Sequence, residues 1–342
     1  MDFPFLRKKQ KALAPPQAAT ALPPSTAESL LRRLEWSVLR RLDGLLQGDY
    51  RTLMRGSGID LADLREYQHH DDVRHIDWNV TARLQLPHVR VFTEDREMAA
   101  WFLLDLSASV DFGSGSQRKS DIATELVAVL ARLLTRHGNR VGALLYGSQL
   151  EAMIPARLGR NHVLHLLHRM QQRPAANDSA TGPTQLHQLL QSAQGLIKRR
   201  STVFVVSDFI SEPGWENALA LLARRHEVVA VRLLDPLEQE LPDLGLLTLR
   251  DAETGEQQLV DTHDAGFRRR FADLAAQREN ELRHALSRAG VDALELRTDD
   301  DLLQSLLRFM DLRKSRSRLS ASARLPVHLQ SMSQPSAQET HA

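Results

Sequence analysis

The chain has 342 residues, 42% of them hydrophobic, with 44 basic against 43 acidic side chains for a formal charge of +1. That length suits one large domain or two modest ones with ample material for a core, and a 25% charged fraction excludes general disorder and a uniform polyanion-binding surface. The absence of cysteine excludes a disulfide framework, a thiolate nucleophile, a zinc ribbon and an iron–sulfur cluster.

The basic stretch Met1 to Lys11 lacks the apolar region of a secretory signal, and no later stretch approaches the ~18 apolar residues of a spanning helix. The reading is a soluble, cytoplasmic protein without a transmembrane segment. Residues 1–24 end in an Ala- and Pro-rich lead (Ala14-Pro15-Pro16, Pro23-Pro24) with no core of its own, read as disordered. Ser25 and Glu28 form a capping box, and Leu30, Leu31, Leu34, Val38, Leu39, Leu42, Leu45 and Leu46 recur at helical spacing, so a helix is predicted as far as Gly48. From Gly56 to Glu97 the pattern is irregular, with an acidic, His-rich turn at His69 to Asp72 and a strand-like alternation at His88 to Phe92.

Ala99 to Leu106 is a nearly continuous apolar run, the signature of a strand buried on both faces. A polar loop with Gly113 and Gly115 follows, then a helix carrying Ile122, Leu126, Val129, Leu130, Leu133 and Leu134 and stopped by Gly138. Strands are predicted at Val141 to Tyr146 and Glu151 to Ile154, joined by a turn at Gly147-Ser148, then helices over 160–171 and 185–199. A strong strand at Thr202 to Val206 ends in Ser207-Asp208. After it come a helix near 215–225, a strand at Glu227 to Leu234, a hairpin around Glu253-Thr254-Gly255, a long helix over 264–289, and a last strand and helix over 291–297 and 299–309. This alternation predicts an α/β domain at 99–310 with a doubly wound, mostly parallel sheet, preceded by a helix and a small irregular, strand-containing segment at 25–98. Residues 311–342, basic and then rich in Gln and Ser, read as a disordered tail.

In an open parallel sheet, ligands bind beyond the carboxyl ends of the strands. Two loops there stand out: Asp105-Leu106-Ser107-Ala108-Ser109, an Asp-x-Ser-x-Ser run, and Ser207-Asp208. Between them Gly182-Pro183-Thr184 leads into a helix. An extended Asp-x-Ser-x-Ser turn can aim three hard oxygen donors to one side, the kind Mg²⁺ prefers at ~2.1 Å. A Thr hydroxyl and a second carboxylate from the neighbouring loops would nearly complete an octahedron. Only two of those five groups are charged, so the cation keeps electrophilicity for one outside ligand, such as a carboxylate of a partner protein. The plainer reading makes Ser107 and Ser109 cap or loop residues and Asp105 a turn former.

This constellation resembles the metal-ion-dependent adhesion site of von Willebrand factor A-like domains, with Asp105, Ser107, Ser109, Thr184 and Asp208 at its five positions. The segment Leu64-Arg65-Glu66-Tyr67-Gln68, Asp71-Asp72-Val73-Arg74-His75-Ile76-Asp77-Trp78 and Thr81-Ala82-Arg83 resembles the signature of the domain of unknown function 58 family. The likeness covers about residues 30–312, and His69-His70 stand where that family usually has Pro-Gly. It implies a von Willebrand factor A-type fold, Mg²⁺ or Mn²⁺ held by those five residues (Asp208 partly through water), no catalytic activity, and work beside a MoxR-type AAA+ ATPase in the assembly or activation of a client protein.

Other readings of the same residues carry less. Gly113-Ser114-Gly115-Ser116-Gln117-Arg118-Lys119-Ser120 nearly spells a P-loop, but Arg118 occupies the place of the glycine that lets backbone amides wrap a phosphate. Lys119 and Ser120 then simply open a helix. A phosphatase of the Asp-x-Asp type would need a carboxylate where Ser107 stands. A metal-dependent hydrolase using the same cation as Lewis acid is the main alternative, and His69, His70, Asp72, His75 and Asp77 could supply a further metal site. Arg65, Asp72, Arg74, Asp77 and Arg83 suggest an ion-pair network with Tyr67 and Trp78 packed beneath it. The basic residues Arg313, Lys314, Arg316, Arg318 and Arg324 lack interleaved aromatics and read as a solvated tail rather than a nucleic-acid contact.

Overall fold

A computed structural model of the protein describes residues 26–42, 61–68, 71, 73, 76–92, 99–172, 184–250 and 256–322. Helix α1 (Thr26–Leu34) starts where the Ser25 signal predicts and continues through a π-helical turn, Glu35–Leu39. β1 (Leu61–Glu66) pairs antiparallel with β2 (His88–Phe92), and α2 (Trp78–Leu84) lies between them in the chain. Then follow β3 (Ala99–Asp105), α3 (Lys119–Arg136), β4 (Arg140–Tyr146), β5 (Leu150–Arg157) and α4 (Arg160–Gln171). α5 (Leu186–Leu196), β6 (Thr202–Ser207), α6 (Trp215–Arg225) and β7 (Glu227–Leu234) come next. The hairpin β8 (Leu246–Arg250) and β9 (Gln257–Asp261), α7 (Ala265–Ala289), β10 (Asp292–Arg297) and α8 (Leu302–Ser322) complete the series.

Six strands form one sheet in the order β10-β7-β6-β3-β4-β5. All neighbours run parallel except β4 and β5, which are antiparallel. This is the expected doubly wound α/β arrangement of the von Willebrand factor A type. From β3 the chain builds outward through β4 and β5, then returns to lay β6 on the other side of β3. The strand order therefore reverses between β3 and β6, the position beyond whose carboxyl ends open α/β sheets bind their ligands.

The period of two along each strand divides the core into two layers. Ala100, Phe102 and Leu104 of β3 pack on one face with Leu126, Val129 and Leu133 of α3, with α4, and with Leu31 and Leu34 of α1. Trp101 and Leu103 face the other way, toward Leu189 and Leu190 of α5 and Leu219 and Leu222 of α6. Phe102 stacks on Phe204 of β6 with ring centroids 5.2 Å apart. Because both faces are covered, β3 and β6 read as unbroken apolar runs. At the end of α3, Gly138 adopts φ +82°, the left-handed conformation that lets the helix stop and β4 begin.

Some sequence expectations change. Trp78 does not pack beneath the signature segment: it opens α2 with 69% of its surface exposed, while Asp77 caps that helix by accepting from the Asn79 and Val80 amides at 3.0 and 3.2 Å. The side chains of Arg65, His69, His70, Asp72, Arg74 and His75 lie outside the described residues, as do Gly48, Gly182 and the turn at 251–255. The last helix does not end at 309, nor does the tail begin at 311. α8 runs to Ser322, and Arg313 is buried, donating to Asp292 at 3.0 Å and to Glu227 at 2.5 Å. Instead of a solvated tail residue, Arg313 locks α8 to the amino ends of β7 and β10.

Candidate functional site

The carboxyl ends of β3 and β6 place the five sequence-derived residues along one edge. Asp105 is the last residue of β3, Asp208 follows the last residue of β6, and Thr184 precedes α5. All five, with Ser107 and Ser109, are no more than 7% exposed. For polar side chains beyond strand ends this is deep burial, and each has to be satisfied by a partner.

Asp105 organises the first loop. Its Oδ1 accepts the Ser107 backbone N–H at 3.0 Å, and its Oδ2 accepts the Ser207 hydroxyl at 2.6 Å. Ser107 stands at the N-cap position of the 3₁₀ turn Ala108–Asp111, yet its hydroxyl makes no capping bond. It lies instead 3.0 Å from the Ser109 hydroxyl. The simple cap reading of Ser107 therefore fails, and the two serines present their oxygens side by side.

The second loop turns sharply. Phe209 has φ +60°, a left-handed conformation that costs a bulky residue strain, and its ring is anchored against Trp215 at 5.3 Å. The turn lets the Phe209 amide donate to Ser207 Oγ at 2.9 Å and the Ile210 amide donate to Asp208 Oδ1 at 3.0 Å. Thr184 is tied to the same loop: its carbonyl accepts the Ser211 hydroxyl at 2.8 Å and the Glu212 amide at 3.0 Å. Ser211 Oγ in turn accepts the Leu186 amide at 2.9 Å, which fixes the start of α5.

Two further residues join the cluster, and Lys119 does more than open its helix. The Lys119 ammonium is fully buried, donating to Asp208 Oδ2 at 2.8 Å and to Glu238 Oε1 at 2.5 Å. Glu238 comes from the 3₁₀ turn Pro236–Glu238 after β7, where its other oxygen accepts the Asp235 amide at 3.1 Å. Lys119 was legible in principle. It shares the buried stripe of α3 with Ile122, Ala123 and Leu126, and a lysine on such a stripe calls for a buried anion.

The electrostatics differ between the two aspartate loops. Burial, and then the negative charge of Asp208, push the Asp105 carboxyl up from 3.8 to about 6, against the hydrogen bonds from Ser207 and Ser107. Burial opposes charge on Lys119, but the adjacent Asp208 and Glu238 carboxylates outweigh it and raise the ammonium above its ordinary value. The edge thus has one carboxylate paired with a lysine and another whose charged neighbour among the described residues is the negative Asp208.

The donor set fits a small hard cation. Two carboxylates and three hydroxyl-bearing residues, all oxygen, match Mg²⁺ or Mn²⁺ better than a transition metal seeking imidazole or thiolate. Among the described residues no group of three or more His, Cys, Asp or Glu side chains is set to hold a metal, so any cation here depends on the hydroxyls.

A doubly wound domain of the von Willebrand factor A type, with a buried polar cluster at its strand-order reversal, is the class this fold defines. The chain belongs to the family described as "Protein of unknown function DUF58", whose model matches residues 63–281. It is 38% identical over 284 residues to uncharacterized protein Rv1480 of Mycobacterium tuberculosis, covering 83% of this chain and 89% of that protein. It is 35% identical over 161 residues to uncharacterized protein MAV169 of Mycobacterium avium, covering 47% of this chain and 94% of that protein. Among solved structures, BatB from Bacteroides thetaiotaomicron aligns over 64% of this chain and 99% of its own, with a TM-score of 0.40 and 14% identity. The SpRpn10 VWA domain aligns over 62% of this chain and 94% of its own, with a TM-score of 0.36 and 15% identity. At these scores the fold assignment rests on the strand order itself. Among the described residues no helix is long and apolar enough to cross a membrane.

Proposed function

We propose that this protein is a non-enzymatic, Mg²⁺- or Mn²⁺-dependent protein-binding module. In this reading it works in the cytoplasm with a MoxR-type AAA+ ATPase in the assembly or activation of a client protein. The observation that carries the metal reading is the setting of Asp105, a buried carboxylate at the strand-order reversal that burial and then the Asp208 charge push upward, beside the paired hydroxyls of Ser107 and Ser109. Asp105, Ser107, Ser109, Thr184 and Asp208 would hold the ion. A bound ion would supply a Lewis-acid contact for a carboxylate brought by the partner. The partner class comes from the family resemblance.

The surroundings favour binding over hydrolysis. Phe112 and Ile210, 40% and 46% exposed, flank the two loops and offer apolar contact next to the polar cluster. Asp208 and Glu238 are committed to Lys119, and both Asp105 oxygens accept hydrogen bonds, so these three carboxylates are engaged rather than set aside as a base for water. Calorimetric titration with MgCl₂ tests the reading. One site is expected in wild type, absent in Asp105→Ala and weakened in Thr184→Ala. Equal binding in wild type and Asp105→Ala would remove the assignment. A pull-down with the ATPase should then depend on the cation and on Ser107 and Ser109.

A further inference from the structure

A buried lysine is expensive, and α3 has no packing need for one at its first residue. Its neighbours on the same stripe, Ile122, Ala123 and Leu126, are buried and apolar, so a methionine stem would fill the space that the Lys119 methylenes fill. The ammonium instead reaches across to the ends of two other strands, 2.8 Å from Asp208 Oδ2 and 2.5 Å from Glu238 Oε1, with both Lys119 and Asp208 side chains at most 1% exposed. Solvent screening there is weak, so a unit of charge at Lys119 acts on whatever binds at the Asp105–Asp208 edge.

We propose that Lys119 is the built-in counter-cation of this cluster and sets the charge with which it meets a divalent ion. The inference rests on the metal reading of the same edge. Asp105, Asp208 and Glu238, when ionised, bring three negative charges, and Lys119 cancels one of them. The balance of two is what a divalent cation neutralises, so the loaded edge is uncharged and can still accept an acidic side chain. Without Lys119 the cluster would carry three charges. It would hold the cation more tightly, and the loaded site would remain anionic and repel a carboxylate partner. Glu238 has the opposite role: removing its charge leaves Lys119 wholly to Asp208 and weakens the attraction for a cation.

The experiment compares wild type, Lys119→Met and Glu238→Gln, each titrated with MnCl₂ and MgCl₂ by calorimetry and melted in chelator at one pH and ionic strength. Both variants should melt below wild type in chelator, because each leaves a buried charge with fewer partners. Their affinities should move in opposite directions: about tenfold or more tighter in Lys119→Met, and weaker by a similar factor in Glu238→Gln. A purely structural ion pair would not split the two affinities in this way. If wild type binds one ion and Lys119→Met binds it equally or more weakly, the counter-cation role is overturned and the metal site stands. If none of the three proteins binds either ion, both readings fall. Should Lys119→Met not fold, Glu238→Gln decides alone, and unchanged or tighter binding there overturns the proposal.

Discussion

Neutralising Asp105 without changing its shape should stabilise the cation-free protein. In the folded chain this carboxyl is raised from 3.8 to about 6, with burial the main cause and the Asp208 charge next. At ~1.36 kcal/mol per pH unit, keeping it ionised in the folded state costs about 3 kcal/mol at pH 7.5. Asp105→Asn removes that cost. Its amide oxygen can still accept the Ser107 N–H, but its NH₂ must face Ser207 Oγ, which already accepts the Phe209 amide and would have to redirect its own proton. Rearranging that hydroxyl costs about 1 kcal/mol, leaving a net gain of about 2 kcal/mol. For a domain of this size that is a rise in melting temperature of roughly 4–8 °C. The sign reverses the usual carboxylate case. Because the folded value lies above the unfolded one, wild type carries no penalty below 3.8, accumulates it as pH rises toward 6, and carries all of it above. The assay is thermal melting of both proteins in chelator from pH 4.5 to 7.5. Near pH 4.5 the wild-type penalty falls to about 1 kcal/mol, so the two curves should nearly coincide there and separate by neutral pH. A variant that melts at or below wild type at pH 7.5, or a difference independent of pH, would refute the account of Asp105 as a carboxyl whose charge burial and Asp208 disfavour.

Two further outcomes follow from other parts of the structure. Purified protein should release no phosphate from ATP or GTP, because Arg118 replaces the glycine of a phosphate cradle and the Lys119 ammonium is already bound to Asp208 and Glu238. Steady turnover in a phosphate-release assay, abolished by Lys119→Ala, would contradict this. Arg313→Met should cost about 3–5 kcal/mol in chemical denaturation, since it strands Glu227 and Asp292 without their shared buried cation. A loss under 1 kcal/mol, of the order of an exposed pair, would show that α8 is not held by these contacts.

Much of this molecule is legible in the sequence because its sheet is covered on both faces. β3 and β6 stand out as unbroken apolar runs, and α3 as a 3.6-residue stripe, since each must be apolar wherever it meets the core. The Asp-x-Ser-x-Ser turn is visible because consecutive residues build it. What sequence reasoning misses has the opposite character. α2 is seven residues long and has no buried side chain, so no apolar face marks it, and a tryptophan at its start suggests burial that does not occur. Arg313 continues the stripe of Leu306, Phe309 and Met310, but its charge makes the segment look like tail. Lys119 is hidden in the same way on α3. The partners that make these charges tolerable lie far off in the chain, 89 residues away for Asp208 and 119 for Glu238, and no local pattern encodes such pairings.

Three aspartates lie at or just past the carboxyl ends of β3, β6 and β7, and their partners differ. Asp235, after β7, is buried, which alone would raise its carboxyl. Hydrogen bonds from the Ser114 amide at 2.9 Å, the Thr298 hydroxyl at 2.7 Å and the Leu237 amide at 3.0 Å outweigh burial and hold it below its ordinary value. Asp235 is thus a completed structural anion that ties the Gly113 loop to the last strand. Asp208, after β6, is met by the Lys119 ammonium, a whole charge, in addition to the Ile210 amide. Asp105, the last residue of β3, accepts from the Ser207 hydroxyl and the Ser107 amide, and burial and then the Asp208 charge push it up to about 6. The central strand is thus the one whose terminal carboxylate is left under-compensated, at the point where the strand order reverses and beside the paired hydroxyls of Ser107 and Ser109. A positive charge supplied from outside would be favoured there, which is the physical basis of the metal site proposed above.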